Sequence, residues 1–136
     1  MAARSKARKR ALDLIYAAEL RGRSATDALD ELIAAGERPS NDYTITLVRG
    51  VEEHRARIDA LISDYSRDWS LKRMPAVDRN VLRLGIFEVL YADDVPDAVA
   101  ISEAVNLVRD LSTDESPAFV NGVLATIARD KAALTA

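Results

Sequence analysis

Residues 77–91 read VDRNVLRLGIFEVLY. Wound as a helix, this stretch carries apolar side chains around nearly its whole circumference, the pattern of a central helix that touches neighbours on more than one side. Val77, Val81 and Leu84 fall on one flank, and Arg79, Arg83, Ile86 and Leu90 on the opposite one by ordinary helical rotation. Two arginines mixed with two large apolar residues resemble a protein-docking face, so these four are the expected contacts for a protein partner. Glu88 falls on the stripe of Val77, Val81 and Gly85, and if buried it must be paired or hydrogen-bonded.

Outward from this helix, apolar residues keep recurring at helical spacing. Ala7, Ala11, Leu14, Ile15 and Ala18 predict a first helix from Arg4 to about Leu20, stopped near Gly22. A shorter helix is expected from about Thr26 to Ala35, capped by Ser24 or Thr26 and closed by Gly36, Arg38 and Pro39. Leu47, Val48, Val51, Ile58, Leu61, Ile62 and Tyr65 lie on one stripe and predict a long helix from Asn41 to about Arg67, with His54 at a core position. After the turn at Asp93, Asp94 and Pro96, a fifth helix runs to about Leu111 and a sixth begins at Ser116-Pro117 and continues to about Asp130. No run shows the period-two alternation of a strand. The expected fold is all-α: six or seven helices in two three-helix bundles, about 4–68 and about 76–130, joined across Trp69 to Pro75.

With 136 residues the chain fits one domain or two small lobes, and it leaves no room for a second catalytic domain. It has no cysteine, which removes disulfides, thiolate zinc sites and cysteine nucleophiles together. The lone histidine, His54, reads as a structural residue, because a metal site needs several ligands and a general base usually needs an orienting partner. No phosphate-binding glycine loop is present, so the expectation is no enzyme, no metal and no cofactor. No apolar run approaches the roughly 20 residues that span a bilayer, and a soluble, cytoplasmic protein is expected.

Charge is unevenly distributed. Residues 1–23 hold seven Lys or Arg against Asp13 and Glu19, a net +5, which leaves −8 for the rest of a chain whose total is −3. An acidic body with one basic end is suited to holding a polyanion at that end. The candidate RNA contacts there are Arg4, Lys6, Arg8, Lys9 and Arg10, through phosphate neutralisation. Tyr16 projects away from the buried stripe of the same helix, on the side of Lys9 and Asp13. It either stacks on an unpaired base or joins Leu12 and Leu20 in a second packing face. Asp78 opens the central helix, where a carboxylate is favoured by the free N–H groups and the helix dipole. Phe119 and Asn121 sit near the acidic turn of Asp114 and Glu115; Phe119 is either core or a stacking platform. Gly122 is expected to permit close helix packing.

Four ordered blocks resemble the NusB family of transcription antitermination proteins: RSKARKRALDLIYAAEL, DWSLKRMPAVDRNVLRLGIFEVLY, DVPDAVAISEAVNLVRDLS and FVNGVLATIA. The resemblance implies two helical bundles and a role in antitermination complexes, in which such proteins pair with a ribosomal small-subunit protein and bind the boxA element of nascent RNA. Together they help RNA polymerase, with other Nus factors, read through terminators in ribosomal RNA operons. It also implies that Asp78 lies close to the RNA and the protein partner; Glu115 and Phe119 are further candidate RNA contacts. The basic run differs from the family's nearly unbroken arginines, being Arg4, Lys6, Arg8, Lys9 and Arg10 with Ser5 and Ala7 between. Lysine offers a point charge where arginine offers a planar fork. Two rival readings are a ribosomal RNA cytosine methyltransferase, which requires a long catalytic domain and cysteines, and a protein-binding module or homodimer with a structural role.

Overall fold

The computed structural model describes residues 2–67 and 69–136. Among these lie eight helices and no strand: α1 (Ala3–Leu20), α2 (Ala25–Ala34), α3 (Asp42–Glu53), α4 (Arg55–Tyr65), α5 (Ala76–Tyr91), α6 (Asp97–Leu111), α7 (Ser116–Arg129) and α8 (Lys131–Leu134). The all-α expectation holds. The helices beyond the six read from sequence come from a split of the 41–67 segment and from the four-residue α8. None of the helices is long and apolar enough to cross a membrane.

The split falls at His54, whose backbone (φ −103°, ψ 14°) leaves the helical region between α3 and α4. Leu47, Val48 and Val51 before it and Ile58, Leu61 and Ile62 after it are all buried, so the apolar stripe passes through the break and conceals it. His54 itself is half-buried, not a core residue. The chain divides here into two compact units, one ending at His54 and the other beginning at Arg55. α4 therefore belongs with the second unit, whereas the sequence reading assigns it to the first bundle. Residue 68, where that reading ends the first bundle, lies outside the described residues.

In the first unit α1 packs on α2 and α3, and α2 on α3. Ser24 caps α2 by accepting from the Asp27 N–H, and Asn41 caps α3 by accepting from the Tyr43 N–H at 2.9 Å. Both α1 and α2 end on a glycine in the left-handed region, Gly22 (φ 65°) and Gly36 (φ 80°). The Arg23 N–H returns to the Ala18 carbonyl at 3.0 Å and the Glu37 N–H to the Leu32 carbonyl at 2.8 Å, which closes each helix with a Schellman motif.

The second unit is organised around α5, which packs against α4, α6 and α7. Every residue from Asn80 to Leu90 is buried, as the all-round apolar pattern predicts. Each of the large apolar side chains among them contributes about 1.5–3 kcal/mol on leaving water. At Gly85 a β-carbon would stand 2.7 Å from Leu124 Cδ1, so α5 and α7 approach too closely for a side chain there. Gly122, in contrast, is exposed, with nothing within 4 Å of a β-carbon position. The close-packing role expected of Gly122 belongs to Gly85.

The docking face expected on α5 is corrected by this packing. Arg83 is 2% exposed, and Ile86 and Leu90 are buried as well. Arg83 donates to Asp59 of α4 and, at 2.8 Å, to Asn80 Oδ1. Half-buried Arg79 donates to the carbonyls of Leu71 and Met74 and holds the loop before α5. The mixture of arginine and large apolar residues is an interior arrangement, in which the guanidiniums satisfy carbonyls and a carboxylate that burial would otherwise leave unpaired.

Candidate nucleic-acid interface

The basic residues expected to hold RNA all lie on the first turns of α1, but they do not share one environment. Lys6 and Arg10 are exposed, with no ion-pair or hydrogen-bond partner among the described residues. Lys9 is tied to Asp13 one turn on, at 2.8 Å. Arg4 is exposed and lays its guanidinium over the Tyr43 ring, 4.1 Å from the centroid. Arg8 is 4% exposed and approaches the same ring at 5.7 Å. Of the five basic residues expected to hold RNA, Arg8 alone is thus withdrawn from solvent.

Tyr43 is the residue that sequence reasoning missed. It follows the Asn41 cap at the start of α3, and a ring facing two guanidiniums is worth roughly 0.5–2 kcal/mol each, depending on solvation. Two more bonds from the same turn seat α1. Asn41 Nδ2 donates to the Ala3 carbonyl at 3.3 Å, and buried Thr44 Oγ1 donates to the Ala7 carbonyl at 3.1 Å. Beside this clamp a cleft of about 310 Å³ opens, lined by Lys6, Arg10, Pro39, Ser40, Asn41 and Thr44. A cationic edge is thus presented on a helix whose position is fixed by hydrogen bonds, which favours recognition without an ordering cost. Tyr16 is half-buried further along α1, where Leu12 is buried and Leu20 is exposed. The packing face of Leu12, Tyr16 and Leu20 is therefore incomplete.

In the second unit Asp78, Glu115 and Phe119 lie where α5 and α7 begin. Asp78 is fully buried, its carboxylate accepting from Ser112 Oγ at 2.5 Å and Ser116 Oγ at 2.8 Å. Ser116 also accepts from the Thr113 N–H at 3.3 Å. This network engages both carboxylate oxygens of Asp78 away from solvent and joins α5 to the α6–α7 turn. The two serines, four residues apart around the acidic turn, were the only sequence signal for it. Glu115 remains exposed, and half-buried Phe119 meets Trp69 edge to face with centroids 4.9 Å apart. One aromatic edge is spent on packing, and part of the ring stays open.

Among the described residues no group of three or more His, Asp or Glu side chains comes together as a metal site. The arrangement offers cations, hydrogen-bond donors and aromatic faces, the kinds of group from which polyanion sites are built.

The NusB family model matches residues 5–129. A transcription antitermination protein NusB of Nocardioides sp. is 69% identical over 98% of this chain and 99% of its own length. Its counterpart in Kineococcus radiotolerans is 57% identical over the full length of both. Among solved structures, NusB of T. maritima superposes with a TM-score of 0.84 at 34% identity, covering 96% of this chain and 94% of that one. A structure of NusB and NusE in complex with double-stranded RNA superposes with a TM-score of 0.78 at 29% identity, covering 93% of this chain and 96% of that one. Relatives thus match along nearly the whole length, and the chain belongs to the NusB family of non-enzymatic transcription antitermination proteins.

Proposed function

We propose that this chain acts in the cytoplasm as an adaptor on nascent ribosomal RNA, binding boxA-like single-stranded RNA together with a ribosomal small-subunit protein. The observation that carries the reading is the pair of unpartnered cations, Lys6 and Arg10, on a helix clamped by Asn41 and Thr44. Arg4, stacked on Tyr43, extends the cationic edge by one turn. Lys9 contributes after exchanging Asp13 for a phosphate, and Tyr16 supplies an aromatic face. In the second unit Glu115 accepts from base amino groups and Phe119 stacks. The relative solved with NusE and RNA supports the two classes of partner.

The test is a titration of boxA-like single-stranded RNA across salt, with and without the ribosomal protein, and with an RNA duplex as a second arm. Lys6→Gln combined with Arg10→Gln should weaken binding and lower the salt slope by about 1.4, roughly 0.7 for each phosphate of a single strand that is no longer neutralised. Arg8→Gln should leave that slope alone. An unchanged slope in the double variant sinks the assignment to α1, and equal affinity for the duplex sinks the preference for single strands.

A further inference from the structure

Arg10 lines two clefts. One is the cleft beside Asn41 and Thr44; the other, of about 420 Å³, lies between α1 and α2 and is lined by Arg10, Leu14, Ala17, Arg21, Arg23 and Leu32, with Glu31 at its edge. At about 100° per residue, Lys6, Arg10, Ala17 and Arg21 fall within about 60° of one another on α1. The cations therefore form a stripe running the length of the helix, about 22 Å at roughly 1.5 Å per residue.

The far end of the stripe is built on fixed backbone. Arg21 and Arg23 flank Gly22, in the Schellman turn that closes α1. Arg23 reaches across to α2 and donates from both Nη atoms to the Glu31 carboxylate, at 2.9 and 2.8 Å. That pair neutralises the cleft's acidic group. Arg10 and Arg21 are exposed and have no partner among the described residues, so the cleft's remaining charge is theirs. Between them the floor is made of short apolar side chains, Ala17 and Ala28 beside Leu14 and Leu32.

We propose that the α1–α2 cleft is a second RNA subsite, in which Arg21 and Arg10 hold phosphates of one strand on the order of three nucleotides apart, about 16 Å along the helix, and a base between them lies on the floor of Ala17, Ala28 and Leu32. The inference rests on the reading of Lys6 and Arg10 as RNA contacts and lengthens it: the strand follows α1 past its basic start to the Gly22 turn, a path of on the order of four nucleotides. A charged groove that tracks the backbone is how single strands are held without sequence readout; in this cleft aliphatic side chains stand where aromatic ones commonly receive the bases.

Two measurements on the full chain test it, using a boxA-like single-stranded RNA of about 12 nucleotides, long enough to exceed one such groove. Arg21→Gln should weaken binding about threefold and lower the salt slope by about 0.7. Because the chain has no cysteine, Ala28→Cys places one thiol in the cleft; the free variant should melt like the free parent, and RNA should slow alkylation of the thiol severalfold. If Lys6→Gln weakens RNA binding while Arg21→Gln does not and the thiol stays reactive, the subsite is refuted and the reading of the basic start stands. If Arg21→Gln spares RNA but weakens binding of the ribosomal protein, the cleft is a protein-docking surface and the proposal is overturned. If the parent chain, alone and with the ribosomal protein, binds no RNA, both readings fall together.

Discussion

Arg83 and Asp59 form a two-pronged ion pair, Nε to Oδ1 at 2.8 Å and Nη2 to Oδ2 at 3.1 Å, that joins α5 to α4. Arg55 donates to the same carboxylate at 3.1 Å from the first turn of α4. Removing Arg83 leaves half-buried Asp59 with Arg55 as its remaining cation and takes a partner from buried Asn80 Oδ1, so the cost falls below the about 3–5 kcal/mol of a fully buried pair. Arg83→Glu, which sets a second carboxylate against Asp59, should prevent stable folding of the second unit. Arg83→Met, which keeps the stem and removes the charge, should lower the urea midpoint strongly. An Arg83→Glu protein that melts like the parent would return this residue to the surface and revive the docking face on α5.

Two glycines in helix interiors should respond with opposite signs. Gly85→Ala drives a methyl group into Leu124, which is fully buried and has little room to yield. Overpacking of this kind costs about 1–3 kcal/mol, more than the roughly 0.5–1 kcal/mol that alanine gains over glycine in a helix. Gly122→Ala meets nothing and should stabilise by about 0.5–1 kcal/mol. Chemical denaturation of the two single variants checks both, and a stabilising Gly85→Ala would contradict the close approach of α5 and α7.

Asp78→Asn separates structure from recognition. The carboxylate accepts from two serine hydroxyls, and an amide offers only one acceptor oxygen, so one hydroxyl loses its partner in a buried site. The expected cost is about 1–3 kcal/mol in stability. RNA affinity of the folded variant and its salt slope should match the parent. A variant of unchanged stability but weakened RNA binding would place Asp78 at the RNA after all.

The sequence disclosed the central helix because apolar side chains on every side leave few alternatives, and the turns at Gly22 and Gly36 because a left-handed residue is needed there. It did not disclose the break at His54, where no Pro or Gly marks the site and the apolar stripe runs through unchanged. The larger failure concerned charged residues. Lys6 and Arg8 stand two positions apart with the same charge, yet Tyr43, 35 residues beyond Arg8 along the chain, covers one and leaves the other free. In sequence Asp78 reads as a helix-start carboxylate that the family resemblance places near RNA, and Arg83 as part of a docking face because two arginines mix there with large apolar residues. The burial of both depends on Ser112, Ser116 and Asp59, partners that only the folded chain brings near.

Tyr65, at the end of α4, donates its hydroxyl to Asp130 Oδ2 at 2.7 Å, at the end of α7. That hydrogen bond foremost, then burial and the negative charges of Asp130 and Asp64, push the phenol above its ordinary value, while Arg129 opposes them. Because the folded value exceeds the unfolded one, the contribution to stability is fully present below the ordinary tyrosine value of about 10 and is lost as pH rises through the raised one. The chain has four tyrosines, so a titration followed by phenolate absorbance should contain a component at higher pH than an ordinary tyrosine. Tyr65→Phe should delete that component. Asp130→Asn, which keeps an acceptor but removes the charge, should move it back toward the ordinary range. A Tyr65→Phe protein that retains the high-pH component would assign it to another ring and remove the α4–α7 bond from the account of alkaline unfolding.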